Sequence, residues 1–190
     1  MDGLLNVFTA FGLSTSAGLN AYLPLLVVAL LARFTDLITL EPPWDALQSW
    51  WVIGVLVVLL IIEMLVDKVP AVDTINDIIQ TFIRPVAGAI LFAASAGMIS
   101  DAHPVLALVA GLLVAGGVHA VKATARPVVT GTTGGLLNPV VSVLEDLLSL
   151  VMAILAVLVP LLGLLLLVLV IILLLRWRRR RREHAWADDW

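Results

Sequence analysis

Four groups of polar residues stand out of a strongly apolar chain, each at helical spacing. Glu63 and Asp67 are four apart and share a helix face, with Lys68 beside them. His119, Lys122 and Arg126 follow one another at steps of three and four, at the end of a face begun by Ala107, Gly111 and Ala115. Asn138, Ser142, Glu145 and Ser149 make a stripe of about three helical turns, with Asp146 next to it. Ser16 and Asn20 are four apart near the start. Carboxylates and an imidazole can coordinate a cation or pass protons, and Lys122 and Arg126 can attract or neutralise an anion. The same charges, matched in pairs, can instead fix the register of packed helices. The sequence supports both a cytoplasm-facing binding vestibule and a register-setting salt-bridge network.

A fifth polar run differs in kind. Between Asp73 and Arg84 the apolar residues fall at 75, 78, 79, 82 and 83, on one face. Asp73, Asp77, Gln80 and Arg84 fall on another. This predicts a short amphipathic helix on the cytoplasmic membrane surface. Thr74 and Asp77 have the spacing of a capping box, a structural use for Asp77.

The elements that hold these groups follow from composition. The chain has 190 residues, of which 62% are hydrophobic and 13% charged. Its mean hydropathy is +1.12. A soluble domain is about half apolar and a quarter charged, so the bilayer is the expected solvent. The fold class expected is an all-α polytopic bundle of about six transmembrane helices. The spans are 17–34, 50–66, 85–100, 104–121, 138–159 and 161–175, followed by a polybasic tail at 176–190. Residues 3–12 are expected to be interfacial or re-entrant, because Gly12, Ser14, Thr15, Ser16 and Gly18 interrupt the first apolar stretch. Asp2 stands where a secretory signal would carry lysine or arginine, so no cleavable signal is expected. Pro160 divides a long apolar stretch, which is either one kinked helix or two spans.

Charge parity favours two. With six spans and both termini cytoplasmic, all of the 11 Lys and Arg residues except Arg33 lie on one side. That is a strong positive-inside bias, as expected of a bacterial inner membrane. Trp44, Trp50 and Trp51 would belt the opposite interface. The tail Arg176–Arg182 is expected to anchor on anionic lipid. It gives little support for nucleic-acid binding. Small-residue runs at Ala107, Gly111 and Ala115, and at Ala89, Ala93 and Gly97, predict close packing of two antiparallel neighbours and suit a homo-oligomer. The segment Thr130–Gly135 is expected to be a mobile loop. A weak echo, of helix, polar segment with prolines, then helix, links 50–100 with 104–159 as hairpin units.

No cysteine is present, so disulfides and thiolate chemistry are excluded. Nucleotide-binding loops and the common metalloprotease and esterase motifs are absent. No cofactor is expected with certainty, although the acidic positions suit a bound cation.

The ordered set Thr15-Ser16-Ala17-Gly18-Leu19-Asn20-Ala21-Tyr22-Leu23-Pro24-Leu25-Leu26, Glu63-x-x-x-Asp67-Lys68-x-Pro70-x-x-Asp73, His119-x-x-Lys122-Ala123-x-x-Arg126 and Asn138-x-x-x-Ser142-x-x-Glu145-Asp146 carries a resemblance. It is similar to a family of small bacterial integral membrane proteins catalogued as a domain of unknown function (four-one-two-six). The resemblance implies the membrane class and points to the same polar residues. One departure is the 131–137 segment, which lacks the proline and acids that such members carry there. The function expected is transport or channel-like passage of a small ion or solute through the charged layer. A metal-dependent enzyme acting on a lipid or polyprenyl phosphate, and a non-catalytic scaffold, are the alternatives.

Overall fold

The structure is a computed structural model, and it describes residues 2–66, 70–96, 103–159, 168–173 and 176. Six α-helices follow in order: α1 (Asp2–Leu19), α2 (Tyr22–Phe34), α3 (Trp50–Val66), α4 (Pro70–Ala96), α5 (Pro104–Thr133) and α6 (Asn138–Leu158). A 3₁₀ turn, Trp44–Gln48, precedes α3, and residues 168–173 are helical. Among the described residues there is no strand. Among the described residues, three segments are long and apolar enough to cross a membrane: Ile78–Ser95 of α4, all of α5 and all of α6. The burial pattern is that of a bundle in lipid. Ser14, Ser16, Asn20, Gln80 and Arg84 are enclosed, while Val55, Ile61, Leu113, Val140 and Leu147 face outward.

The first apolar stretch folds differently from expectation. Gly12 to Gly18 does not interrupt α1, and the reversal comes at Asn20–Ala21. The hydroxyls of this stretch are absorbed by carbonyls. Ser14 Oγ donates to the Gly88 carbonyl at 2.8 Å, and Thr15 Oγ1 to that of Phe11 at 2.8 Å. The small residues let α1 approach three other helices closely. Asn20 then starts a new helix: its Oδ1 accepts the N–H groups of Tyr22 at 2.9 Å and Leu23 at 3.0 Å. That satisfies two of the four orphan donors of α2. Pro24, in the first turn, lacks an N–H that would otherwise need a partner.

The two helices form a hairpin. Thr9 of α1 donates to the Ala156 carbonyl at 3.0 Å, Ser16 pairs with Ser149, and Asn20 with Asp146, so α1 runs antiparallel to α6. Arg33, at the end of α2, stacks over Trp50 at the start of α3, 4.2 Å from the ring centroid. Ala10 packs with Phe92, Ala93, Ala107 and the loop residue Trp44. Both open ends of the hairpin therefore lie at the end of the bundle that carries the 35–49 loop. The start of α1 thus lies at the opposite end of the bundle from Lys122 and Arg126. The cause is the reversal at Asn20. The apolar stretch before Arg33 contains no cation to oppose it.

Two further boundaries move. The expected amphipathic segment 73–84 and the span from Pro85 are one 27-residue helix. Pro85 removes the N–H that would meet the Thr81 carbonyl, a defect that packed membrane helices tolerate. Likewise α5 does not end near Val121. It continues through Pro127 to Thr133, and Gly134, at φ 62°, closes it in the left-handed conformation that favours glycine. The expected mobile loop at Thr130–Gly135 is thus the last turn of α5 and its cap. The two hairpin units of the sequence echo consequently differ. In the first the polar segment lengthens the following helix, and in the second the preceding one.

The close-packing faces on α4 and α5 do meet as antiparallel neighbours. A Cβ built on Gly111 would lie 2.6 Å from Phe92 Cβ and 2.8 Å from Ala89 Cα, and it would also meet the Gly88 carbonyl. α6 ends at Leu158, and Val159 before Pro160 leaves the helix at φ −141°. Residues 160–167, which would decide between a kink and a new span, lie outside the described residues. Gly111→Val is expected to lower unfolding free energy in detergent by about 1–3 kcal/mol or more. Gly54→Ala, which meets nothing within 4 Å, should be neutral or stabilising by up to about 1 kcal/mol. Equal losses at both positions would contradict this packing.

Candidate functional site

Arg84 is the centre of one buried chain of hydrogen bonds. It lies on α4, is 0% exposed, and faces Glu63 of α3, which is 2% exposed. Arg84 Nη2 donates to Glu63 Oε1 at 3.0 Å. Arg84 Nη1 donates to His119 Nδ1 at 3.0 Å. A guanidinium has only donors, so Nδ1 must be an acceptor. The imidazole is therefore neutral, with its proton on Nε2, and donates it to Thr81 Oγ1 at 3.0 Å. Buried charges need this kind of pairing, because an isolated one is prohibitively costly. Gln80, one turn before Arg84, is also enclosed, as is Tyr22 of α2. Arg84 Nε and Gln80 Oε1 have no hydrogen-bond partner among the described residues.

A second chain adjoins it at the tip of the α1–α2 hairpin. Lys122 Nζ of α5 donates to the Leu19 carbonyl, at the C-terminus of α1, at 3.1 Å. A cation there complements the negative end of the helix dipole. The same ammonium pairs with Glu145 Oε2 of α6 at 2.8 Å, and Arg126 Nη2 reaches that oxygen at 3.5 Å. Asn20 Nδ2 donates to Asp146 Oδ1 at 2.9 Å. One turn further along α1, Ser16 and Ser149 bond reciprocally: Ser16 Oγ donates to the Ser149 carbonyl at 2.7 Å, and Ser149 Oγ to the Ser16 carbonyl at 3.0 Å. His119 and Lys122 are buried one turn apart on the same face of α5. The two chains thus form one layer, in which Glu63 pairs with Arg84, Glu145 with Lys122 and Arg126, and Asp146 with Asn20.

Of the sequence-derived candidates, Ser16, Asn20, Glu63, His119, Lys122, Arg126, Glu145 and Asp146 meet in this layer. Ser142 is buried on the same face of α6. Asn138 is buried further off, at the α5–α6 turn, where its Oδ1 accepts from Thr130 Oγ1 at 3.1 Å. Asp67 and Lys68 lie outside the described residues. Asp73 and Asp77 belong to α4, but their side chains lie outside the described part. Arg84, Gln80 and Tyr22 were not singled out as site residues. Pro85 made Arg84 look like the end of a surface helix. The signal was nevertheless there: Gln80, Arg84, Gly88, Leu91 and Ser95 continue one face at steps of three and four into the small-residue run. Among the described residues, no three His, Asp or Glu side chains group as a metal ion would need.

Fold and layer together define the class: an all-helical chain, among its described residues, whose helices suit a membrane and enclose charge instead of exposing it. The chain belongs to the family described as Domain of unknown function (DUF4126), which matches it over residues 7–180. No curated protein matches it, and no solved structure does.

Arg84→Met strands Glu63 in a buried site and should cost about 3–5 kcal/mol of stability. Unfolding of the detergent-solubilised chain checks this. A loss below about 1 kcal/mol, the range of exposed pairs, would mean that Arg84 is not enclosed as described.

Proposed function

We propose that this chain is a small membrane transporter that moves a small ion or solute through the layer formed by Glu63, Arg84, His119, Lys122, Arg126 and Glu145. One observation carries the reading. Three cations meet two carboxylates, Arg84 on Glu63 and Lys122 and Arg126 on Glu145, at a reversal of the first helix, where Lys122 binds the last carbonyl of α1. Register alone needs far less, since a buried ion pair is often no more stable than apolar residues of the same volume. Interrupted helices whose ends face charged partners are what transporters use to hold ions.

The chemistry follows from exchange of partners. A cation entering the layer competes with Lys122 for Glu145 and the Leu19 carbonyl. An anion competes with Glu145 for Lys122 and Arg126. Protonation of His119 would set an imidazolium against the Arg84 guanidinium and break their hydrogen bond, which couples a proton to the arrangement of α4 and α5.

The topology proposed has the Lys- and Arg-rich end of the bundle, with the Arg176–Arg182 tail on anionic lipid, in the cytoplasm of a bacterial inner membrane. The α1–α2 hairpin then enters from the outer side and turns at the charged layer, and α3 to α6 and the segment after Pro160 complete the bundle. The packing of small residues suits a homo-oligomer.

Purified chain in proteoliposomes should release at least one member of a trapped panel of protons, alkali cations and small anions faster than protein-free vesicles. Glu63→Gln and Glu145→Gln should each slow that release at least tenfold. Release at the protein-free rate for the whole panel, or release unchanged by both substitutions, contradicts the proposal.

A further inference from the structure

The end of α1 already holds a cation, and that cation is a side chain. The last carbonyls of a helix have no partner within it and carry the negative end of its dipole. At the end of α1 the Lys122 ammonium of α5 meets that demand. It lies 3.1 Å from the Leu19 carbonyl and 2.8 Å from Glu145 Oε2 of α6. The Lys122 side chain is 3% exposed and that of Glu145 16%, so water screens the group little.

The two oxygens do not depend on Lys122 to stay together. Asn20, next after Leu19, donates from Nδ2 to Oδ1 of Asp146, next after Glu145, at 2.9 Å. One turn back along α1, Ser16 and Ser149 bond each other's carbonyls at 2.7 and 3.0 Å. This clamp holds α1 against α6 with no help from α5. Without the ammonium, a carbonyl and a carboxylate would still face one point. Arg126 reaches Glu145 Oε2 only at 3.5 Å, a weaker contact.

Spacing and charge select the ion. Magnesium requires oxygens at about 2.0–2.1 Å, and calcium six to eight of them at about 2.3–2.6 Å. Either would have to draw the clamped helices inward. Among the described residues no three His, Asp or Glu side chains group as a metal ion would need. Separations of 2.8 and 3.1 Å are those of charge-assisted N–H···O bonds to an ammonium. Potassium is close to ammonium in size and fits the same spacing. One carboxylate and one helix end balance a single positive charge.

We propose that the Leu19 carbonyl and Glu145 form a site for a monovalent cation of ammonium or potassium size, which Lys122 occupies as a tethered substitute. The proposal deepens the transport reading and rests on it for the role of the site: the cargo is a monovalent cation, and its entry and the withdrawal of Lys122 are one step. Occupancy itself is read without any flux.

Lys122→Ala frees the site, and thermal unfolding of the full chain in uncharged detergent reads its filling. Ammonium or potassium chloride at a hundredfold excess over the dissociation constant should raise the melting temperature by about 5 °C or more, relative to choline chloride at equal ionic strength. Sodium and magnesium should raise it less than half as far. Wild type, its site filled by Lys122, should not respond, and neither should Lys122→Ala with Glu145→Gln. The proposal is overturned if Lys122→Ala melts alike in ammonium, potassium and choline, if the paired variant responds as strongly, or if magnesium stabilises most. It is also overturned if Lys122→Ala fails to fold in ammonium while the paired variant folds. Wild-type proteoliposomes give a second measurement: ammonium and potassium should be released faster than sodium and chloride, and anion-selective release would overturn the proposal. A chain that releases no ion, yet whose Lys122→Ala variant takes up ammonium, refutes transport and keeps the site. One that transports, yet whose variant ignores ammonium and potassium, keeps transport and loses the site.

Discussion

A guanidinium with no exposed surface has to be neutralised where it stands, and Arg84 imposes that demand on the rest of the bundle. Its charge holds Glu63 of α3 at one end and His119 of α5 at the other. It thereby joins three helices whose other contacts are mostly small or apolar. The demand also sets the state of the imidazole, which must accept from Arg84 and so donates to Thr81. An apolar solvent makes this binding stricter than water would, because nothing outside can take over an abandoned charge.

The reversal at Asn20 is the second constraint, and it meets the first. Ending α1 there leaves carbonyls without partners, and starting α2 leaves N–H groups without partners. Asn20 serves the second set through its own Oδ1, and Lys122 serves the first at the Leu19 carbonyl. Lys122 in turn requires Glu145, and Asn20 requires Asp146, so the hairpin tip recruits α6. Small residues make the geometry attainable. Ser14 reaches the Gly88 carbonyl, and Gly111 sits against Gly88, only because no larger side chains intervene.

Much of this was readable from spacing. The buried face of α5, Ala107 through Gly111, Ala115, His119, Lys122 and Arg126, is the face its periodicity marks. The polar stripe of α6 faces inward as its cost in lipid requires, and Ser16 and Asn20 point at it. What was not readable turns on local breakers. Proline ends a helix in water, so Pro85 and Pro127 read as boundaries, whereas packed membrane helices pass through both. That misplaced Arg84 on a surface and shortened α5. Conversely, the glycine and serine cluster at 12–18 read as an interruption, when its hydroxyls bond to carbonyls and its small residues allow close packing. A capping asparagine carries no hydropathy signal, so the hairpin and the end of the bundle at which α1 begins came only from the contacts.

The account's central claim is that the charged layer works as a site and does more than set register. Replacing Glu63 and Arg84 together, by Leu and Met, tests it most directly. No charge is then stranded, so the paired variant should unfold at or above the wild-type midpoint. With the ion-bearing centre gone, it should release trapped ions in proteoliposomes at no more than about a hundredth of the wild-type rate, a barrier increase of roughly 2.7 kcal/mol. A stable paired variant that transports at the wild-type rate would contradict the claim and leave the layer a structural fastening.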